Sequence, residues 1–278
     1  MNKWNLVIDV GKCHDCNNCY LACKDEHCEN GFPPYAAAQP RYGHRWIDLL
    51  RKERGMCPRV DVSYLPLPCM QCDDADCIKA GKHGAVYKRE DGIVIIDPVK
   101  ARGQKGIVDS CPYHAIWWNE ELQLPQKCTF CVHLLEEGWQ APRCVQACAT
   151  GALEFLHVED SDMQRIVASR GLEVLHPEFG LEPRVFYKNL YRYTQCFIAG
   201  NVVLKNIDAC AEGAKVTLKK GSGDLVATTV ANNYGDFRID HLEASGGTYN
   251  LELEYSGYPR QVLSVDLQDT LDIGTVFL

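Results

Sequence analysis

Residues 13–23 read CHDCNNCYLAC, placing Cys13, Cys16, Cys19 and Cys23 in the spacing C-x2-C-x2-C-x3-C. Thiols this close in sequence act as thiolate ligands more readily than as disulfide partners. The stretch leading into them, VIDVGKC (7–13), lies over IIDPVKA (95–101) when the chain is shifted against itself. In that frame the four thiol positions fall on Ala101, Gln104, Ile107 and Cys111. Three thiols are replaced and one is kept.

A second repeat completes the first. Cys69, Cys72 and Cys77 lead into GKHGAVY, and Cys128, Cys131, Cys144 and Cys148 lead into ATGALEF. With Cys148 laid over Gly81, Gly151 falls on Gly84 and Ala152 on Ala85. The chain therefore reads as two ferredoxin-like units, one nested in the other. In a two-cluster ferredoxin the first three cysteines of a run bind one cluster and the fourth ligates the other. Applied here, the rule gives Cys13, Cys16, Cys19 and Cys148 for one cluster, and Cys23, Cys128, Cys131 and Cys144 for a second. Cys69, Cys72, Cys77 and Cys111 make a third, whereas a fourth would need Gly81, Ala101, Gln104 and Ile107. All the ligands of one site are gone and those of the other three remain, so three [4Fe–4S] clusters are expected. Structural zinc prefers paired C-x2-C motifs, which leaves a zinc-stabilised interaction module as a distant alternative. Cys28, Cys57, Cys196 and Cys210 stand outside the scheme and read as small buried hydrophobes.

Charge and composition bound the rest. The 278-residue chain carries 29 Lys and Arg against 37 Asp and Glu, a formal charge of −8, which disfavours a nucleic-acid partner. No apolar run is long enough to span a membrane, and a strand starts almost at once, so the cytoplasm is expected. Lys12, Lys127 and Arg143 lie beside ligands, where they either offset cluster charge or are ordinary solvated residues. His14, His83, His114 and His133 lack metal spacing and read as polar shell.

The fold class expected is α+β: two nested ferredoxin-like units with a long insertion, then a small all-β domain of seven strands, a sandwich or barrel. The outer unit takes residues 1–23 and 112–157, the inner unit 69–111, an insertion 24–68 and an extension 158–197. The β-domain takes 198–278, where turn signals such as GSGD, NNYGD and YSGYP separate alternating runs. Within the first region, 4–10 reads as a strand and 85–97 as a hairpin turning at Gly92. Residues 162–170 read as a helix capped by Ser161 and stopped by Gly171. The insertion reads as a docking surface exposing Trp46, Tyr42 and several arginines, or as an excursion that wraps its own domain. No nucleotide fingerprint and no nucleophile–base arrangement is present, so electron transfer to a redox partner is the expected role.

The nested repeats resemble the iron–sulfur subunits of the dimethyl sulfoxide reductase family of molybdopterin enzymes, most of which carry four clusters. The stretches VIDVGKCHDCNNC, GHRW, PCMQC, GAVYKREDGIVIIDP, WNEE, QKCTFC and PRVFYKNLYRY narrow the resemblance to the small subunits of its pyrogallol–phloroglucinol transhydroxylase branch. That resemblance implies a heterodimer with a large catalytic subunit holding molybdenum in two molybdopterin guanine dinucleotides. It further implies hydroxyl transfer between polyhydroxylated benzenes, with resorcinol hydroxylase, catechol dehydroxylase or another molybdopterin reductase as alternatives. Catalytic residues are expected in the partner and none in this chain.

Overall fold

The computed structural model describes residues 1–278 and divides them into two compact units. The first comprises Met1–Arg51 with Tyr64–Leu190, the second Lys52–Ser63 with Tyr191–Leu278. The division falls at 190/191, where sequence suggested 197/198, and it also takes a piece of the insertion.

In the first unit, β1 (Lys3–Asp9) is buried without alternation from Asn5 to Ile8, the mark of a strand covered on both faces. It lies at the centre of a three-stranded sheet. β8 (Leu153–Val158) pairs antiparallel on one edge and β9 (Val185–Lys188) parallel on the other, with Leu6 opposite both Phe155 and Val185. The parallel strand arises from the PRVFYK extension, whose aromatic and basic composition gave no strand period. Two short hairpins lie between: β4 (Val86–Lys88) with β5 (Val94–Ile96), and β6 (Trp117–Asn119) with β7 (Leu124–Gln126). Gly92, at φ +86°, turns the first of them. The helices α1 (Asn18–His27), α2 (Asp76–Ala80), α3 (Gly106–Asp109), α4 (Val132–Glu136) and α5 (Arg143–Gln146) are too short to hold alone. Each depends on the loops that carry the cysteines.

The last helix of this unit, α6 (Asp160–Arg170), buries Met163 against Val7 and Leu172 and ends at left-handed Gly171. It begins earlier than expected, with Glu159 at the cap and Ser161 inside the helix. The start is set by Asp160, a first-turn acid that suits the helix dipole and accepts from Lys3 Nζ at 2.6 Å and Arg184 Nη2 at 3.0 Å. Arg184 is buried; it also donates to Asp73 through Nε (2.7 Å) and Nη2 (2.5 Å). Its backbone N–H donates to Met70 O, and Asp73 N–H to Glu182 O, each at 2.9 Å. The extension thus clamps the loop between Cys69 and Cys77.

The insertion is not the exposed face that its aromatics suggested. Trp46 is 2% exposed and packs 4.7 Å from the His27 ring, and Arg54 is equally buried, whereas Tyr42, Arg41 and Arg51 stand in solvent. Tryptophan inside and arginine paired is the cheaper arrangement once a carboxylate can meet the guanidinium. Most of the insertion's second half forms a hairpin, β2 (Ile47–Met56) and β3 (Arg59–Pro68), whose stem belongs to the first unit and whose tip belongs to the second.

The second unit opens with α7 (Tyr191–Thr194) and continues as two four-stranded sheets. One sets β10 (Cys196–Leu204) between β14 (Asp236–Leu242) and a parallel β17 (Leu271–Phe277), with a two-residue β11 (Ala209–Cys210) at its end. The other runs β13 (Leu225–Val230), β12 (Lys215–Lys220), β15 (Gly247–Glu254), β16 (Gln261–Leu267). Seven expected runs form strands and β11 is the eighth. Alternation sends Tyr249, Leu251 and Leu253 inward, into one core with Ile198, Val202, Val216 and Leu218 from both sheets. Of the four cysteines read as buried, Cys196 is buried and Cys28 half-buried, but Cys57 and Cys210 are exposed. Their neighbours are turn and strand-edge residues that no core reaches.

The hairpin tip joins this unit through charge. Arg54 donates to Asp61 Oδ2 at 2.5 Å and to Gln195 O at 2.8 Å. Arg192 and Arg238 reach the same carboxylate at 2.9 and 3.0 Å, and Arg238 lies 3.8 Å from the Phe197 ring centroid. Burial alone would raise the Asp61 pKa, but the three guanidinium groups hold it at about 2. Asp61→Asn leaves buried Arg54 without its counter-charge. It should cost about 3 kcal/mol, read as a lower urea midpoint at pH 7. An unchanged midpoint for this variant would show that the network carries no stability.

Candidate metal centres

Four of the cysteine-bearing segments contain residues in the left-handed region: Asp15 and Asn17 in CHDCNNC, Gln71 in CMQC, Phe130 and Cys131 in CTFC, and His114 after Cys111. Asp and Asn tolerate that region better than most side chains. Asn17 Nδ2 donates to Asp15 O at 2.9 Å and keeps its loop folded. A left-handed residue among right-handed ones turns successive backbone N–H groups to one side, which makes an anion-binding concavity around sulfur. Phe130 N–H donates to Cys128 Sγ at 3.4 Å. Cys111 accepts from the N–H groups of Ala115 and Tyr113, Cys131 from Arg143, and Cys13 from Asp15.

These loops bring the cysteines together in fours. Cys13, Cys16, Cys19 and Cys148 lie close enough to act on one another electrostatically. Burial pushes Cys19 up to about 12, with the charges at the other three adding to it. Cys148 goes the other way. Burial would raise it, but hydrogen bonds from the Thr150 hydroxyl and from the N–H groups of Leu153, Ala152 and Thr150 bring it below the usual thiol value. Cys16 is exposed and Cys13 and Cys148 are half-buried, so this quartet sits at the surface.

The second quartet is deep. Burial is the main cause raising Cys23, Cys128, Cys131 and Cys144, with Cys128 at about 11 and Cys131 at about 12. Gln39 Nε2 lies 3.9 Å from Cys23 Sγ, and His27 Nε2 lies 3.7 Å from Cys131 Sγ. Burial and the neighbouring His133 lower the His27 pKa to about 3, so its ring is neutral. Its Nδ1 has no partner, and its Nε2 is the ring atom that faces sulfur. The third quartet, Cys69, Cys72, Cys77 and Cys111, lines one cavity with Met70 and Ile116. Burial raises Cys77 to about 12.

The three groups stand in series. Cys144 in the second feels Cys19 of the first, and Cys128 in the second feels Cys69 of the third and accepts its backbone N–H. Gln71, fully buried, bridges the same junction by donating to Cys128 O (2.9 Å) and accepting from Val94 N–H (2.8 Å). Gln39, His27 and Gln71 carried no signal in the sequence beyond lying near cysteines. His14, His83 and His114 are exposed, and His133 pairs with Glu26 at 2.9 Å. Lys12 is exposed and Arg143 pairs with Asp25 and Glu26, while Lys127 is buried.

The positions of the missing fourth set are filled by the chain itself. Ala101 and Ile107 are buried. Gln104 Oε1 accepts from Lys82 N–H at 2.8 Å, and Nε2 donates to Lys100 O at 2.7 Å. A Cβ at Gly81 would stand 2.9 Å from Val86 Cγ2 and 3.1 Å from its backbone nitrogen.

All sixteen cysteines are free, and no three His, Cys, Asp or Glu side chains converge as ligands of a single ion would. Spread thiol quartets with N–H donors on their sulfurs are the donor set that an iron–sulfur cluster takes, and a tetrahedral zinc needs tighter convergence.

Comparison with known proteins agrees with this geometry. Residues 60–158 match the family model of the 4Fe-4S dicluster domain, and residues 198–276 match the carboxypeptidase regulatory-like domain. The chain is 45% identical to the pyrogallol hydroxytransferase small subunit of Pelobacter acidigallici over the full length of both. It is 32% identical to a tetrathionate reductase subunit of Salmonella typhimurium, covering 68% of this chain and 73% of that one. With the iron-sulfur subunit of a putative dimethyl sulfoxide reductase of Halobacterium salinarum the identity is 31%, over 68% and 80% of the two chains. The chain belongs to the family of iron–sulfur electron-transfer subunits of molybdopterin oxidoreductases, the pyrogallol hydroxytransferase small subunit among them.

Proposed function

We propose that this chain is the three-cluster electron-transfer subunit of a hydroxyl-transferring molybdopterin enzyme acting on polyhydroxylated benzenes. The observation that carries the reading is the full-length match to a pyrogallol hydroxytransferase small subunit in a chain whose thiols gather in three quartets. Cys13, Cys16, Cys19 and Cys148 would hold the first [4Fe–4S] cluster. Cys23, Cys128, Cys131 and Cys144 would hold the second, and Cys69, Cys72, Cys77 and Cys111 the third. Bound clusters of this kind pass single electrons, with potentials set by charge, hydrogen bonds and exposure.

The chain's own residues supply those settings. N–H groups around Cys148 favour its thiolate before any metal arrives. The buried second quartet excludes water, with His27 and Gln39 as polar groups at its sulfurs. The exposed first quartet is the natural point of exchange with a partner. Beyond the third, Gln104, Ala101 and Ile107 close the series. In this reading residues 1–23 with 112–157 and residues 69–111 are the outer and inner ferredoxin-like units, and 198–278 is cover or docking.

The partner would be a large subunit holding molybdenum in two molybdopterin guanine dinucleotides, and the heterodimer would work in the cytoplasm. No helix is long and apolar enough to cross a membrane. The substrate reading is tested by purifying the chain anaerobically with its large subunit and supplying pyrogallol and a tetrahydroxybenzene co-substrate. Phloroglucinol should accumulate without an external electron acceptor. Turnover only with a dye donor and an oxyanion acceptor would instead assign the complex to the respiratory reductases.

The filled fourth site gives a second expectation. Restoring thiols together as Gly81→Cys, Ala101→Cys, Gln104→Cys and Ile107→Cys should leave the iron content at the native level, because a side chain at residue 81 collides with Val86. A gain of about four irons per chain would show that the site is still open.

A further inference from the structure

Lys127 precedes the second-quartet ligand Cys128 and is 2% exposed. Its ammonium donates to two backbone carbonyls, Val94 O at 2.5 Å and Cys128 O at 3.1 Å. No carboxylate lies within ion-pair distance, although the chain forms many such pairs elsewhere. Arg54 and Arg184, the other deeply buried cations, both have aspartate partners. A buried ammonium with only neutral acceptors is costly, and such a group is retained where another anion answers it.

The surroundings identify that anion. Lys127 sits where the second and third quartets meet. Val94, whose carbonyl accepts from the ammonium, borders the third quartet's cavity and donates its own N–H to Gln71 in the CMQC loop. The charge of Lys127 acts on thiols of both groups: Cys128 in the second, and Cys72, Cys77 and Cys111 in the third.

We infer that Lys127 is the counter-ion shared by the second and third clusters, and that its buried charge raises the reduction potential of both. The inference rests on the cluster reading above. The sign follows from charge. Adding an electron makes a thiolate-bound cluster more negative, so a nearby fixed cation stabilises the reduced form. The effect is strong because the site is shielded from water and salt. A relayed electron is thereby biased inward, away from the surface quartet and toward the junction that Lys127 occupies. Lys127 touches no substrate; it acts through the clusters as an electrostatic tuning residue.

The test compares native complex, Lys127→Met and Lys127→Arg by EPR-monitored redox titration, with iron and acid-labile sulfide measured on each. Met keeps most of the length of the side chain and removes the charge, whereas Arg keeps the charge. Lys127→Met with full iron should lower the reduction equilibrium constant of two clusters at least tenfold each, which is 59 mV for a one-electron couple. The third signal should move least, and Lys127→Arg should stay within a few-fold of native. If Met fails to assemble clusters while Arg assembles them at native potentials, the charge is required and the inference stands. Full assembly of Lys127→Met at unchanged potentials would overturn it. So would failure of both variants, or an equal fall in both, since the requirement would then be shape and not charge. Native complex lacking sulfide would sink the cluster reading itself, an outcome visible before any variant is made.

Discussion

Burial of thiolates is the constraint on which the rest of this structure depends. Bringing sulfurs together away from water raises a thiol pKa by desolvation and again by mutual repulsion, as Cys19, Cys131 and Cys144 show, and only dense hydrogen bonding reverses it at Cys148. A chain of net charge −8 adds to the difficulty. Much of the first unit can be understood as the answer. Left-handed turns aim backbone N–H groups at sulfur, polar side chains stand at Cys23 and Cys131, and one buried ammonium lies between two quartets. The helices between the ligands are short because they serve to place these donors.

What the sequence revealed follows from the same constraint. Thiol spacing is a local property that tolerates little change, so the expected quartets rest on C-x2-C patterns and two internal repeats. Alternation in the last third of the chain likewise announced strands, since each core residue of a small sandwich must face inward, as Tyr249, Leu251 and Leu253 do. Local pattern failed where long-range pairing decides. The parallel pairing of β9 with β1 has no signature in PRVFYK, and Arg184 gives no sign that it will meet Asp73 and Asp160. The insertion left two readings open for the same reason: an aromatic, basic stretch looks like a binding face until the partners of Trp46 and Arg54, His27 and Asp61, are known.

At the positions that a fourth ligand set would need, packing and hydrogen bonds fill the space. Two small or branched residues fill the interior, a glutamine amide ties together backbone that the metal would have tied, and Gly81 lets Val86 move in. Hydrogen bonds and packing there do the structural work of a cluster but cannot carry an electron. The series of quartets therefore ends at Cys69, Cys72, Cys77 and Cys111.

The central claim is that three complete quartets, and only three, are occupied by cubane clusters. Iron, zinc and acid-labile sulfide measured per chain on anaerobically purified native protein test it most directly. Three filled quartets predict about twelve irons and twelve sulfides with no zinc. About sixteen irons, or zinc without sulfide, would contradict the claim.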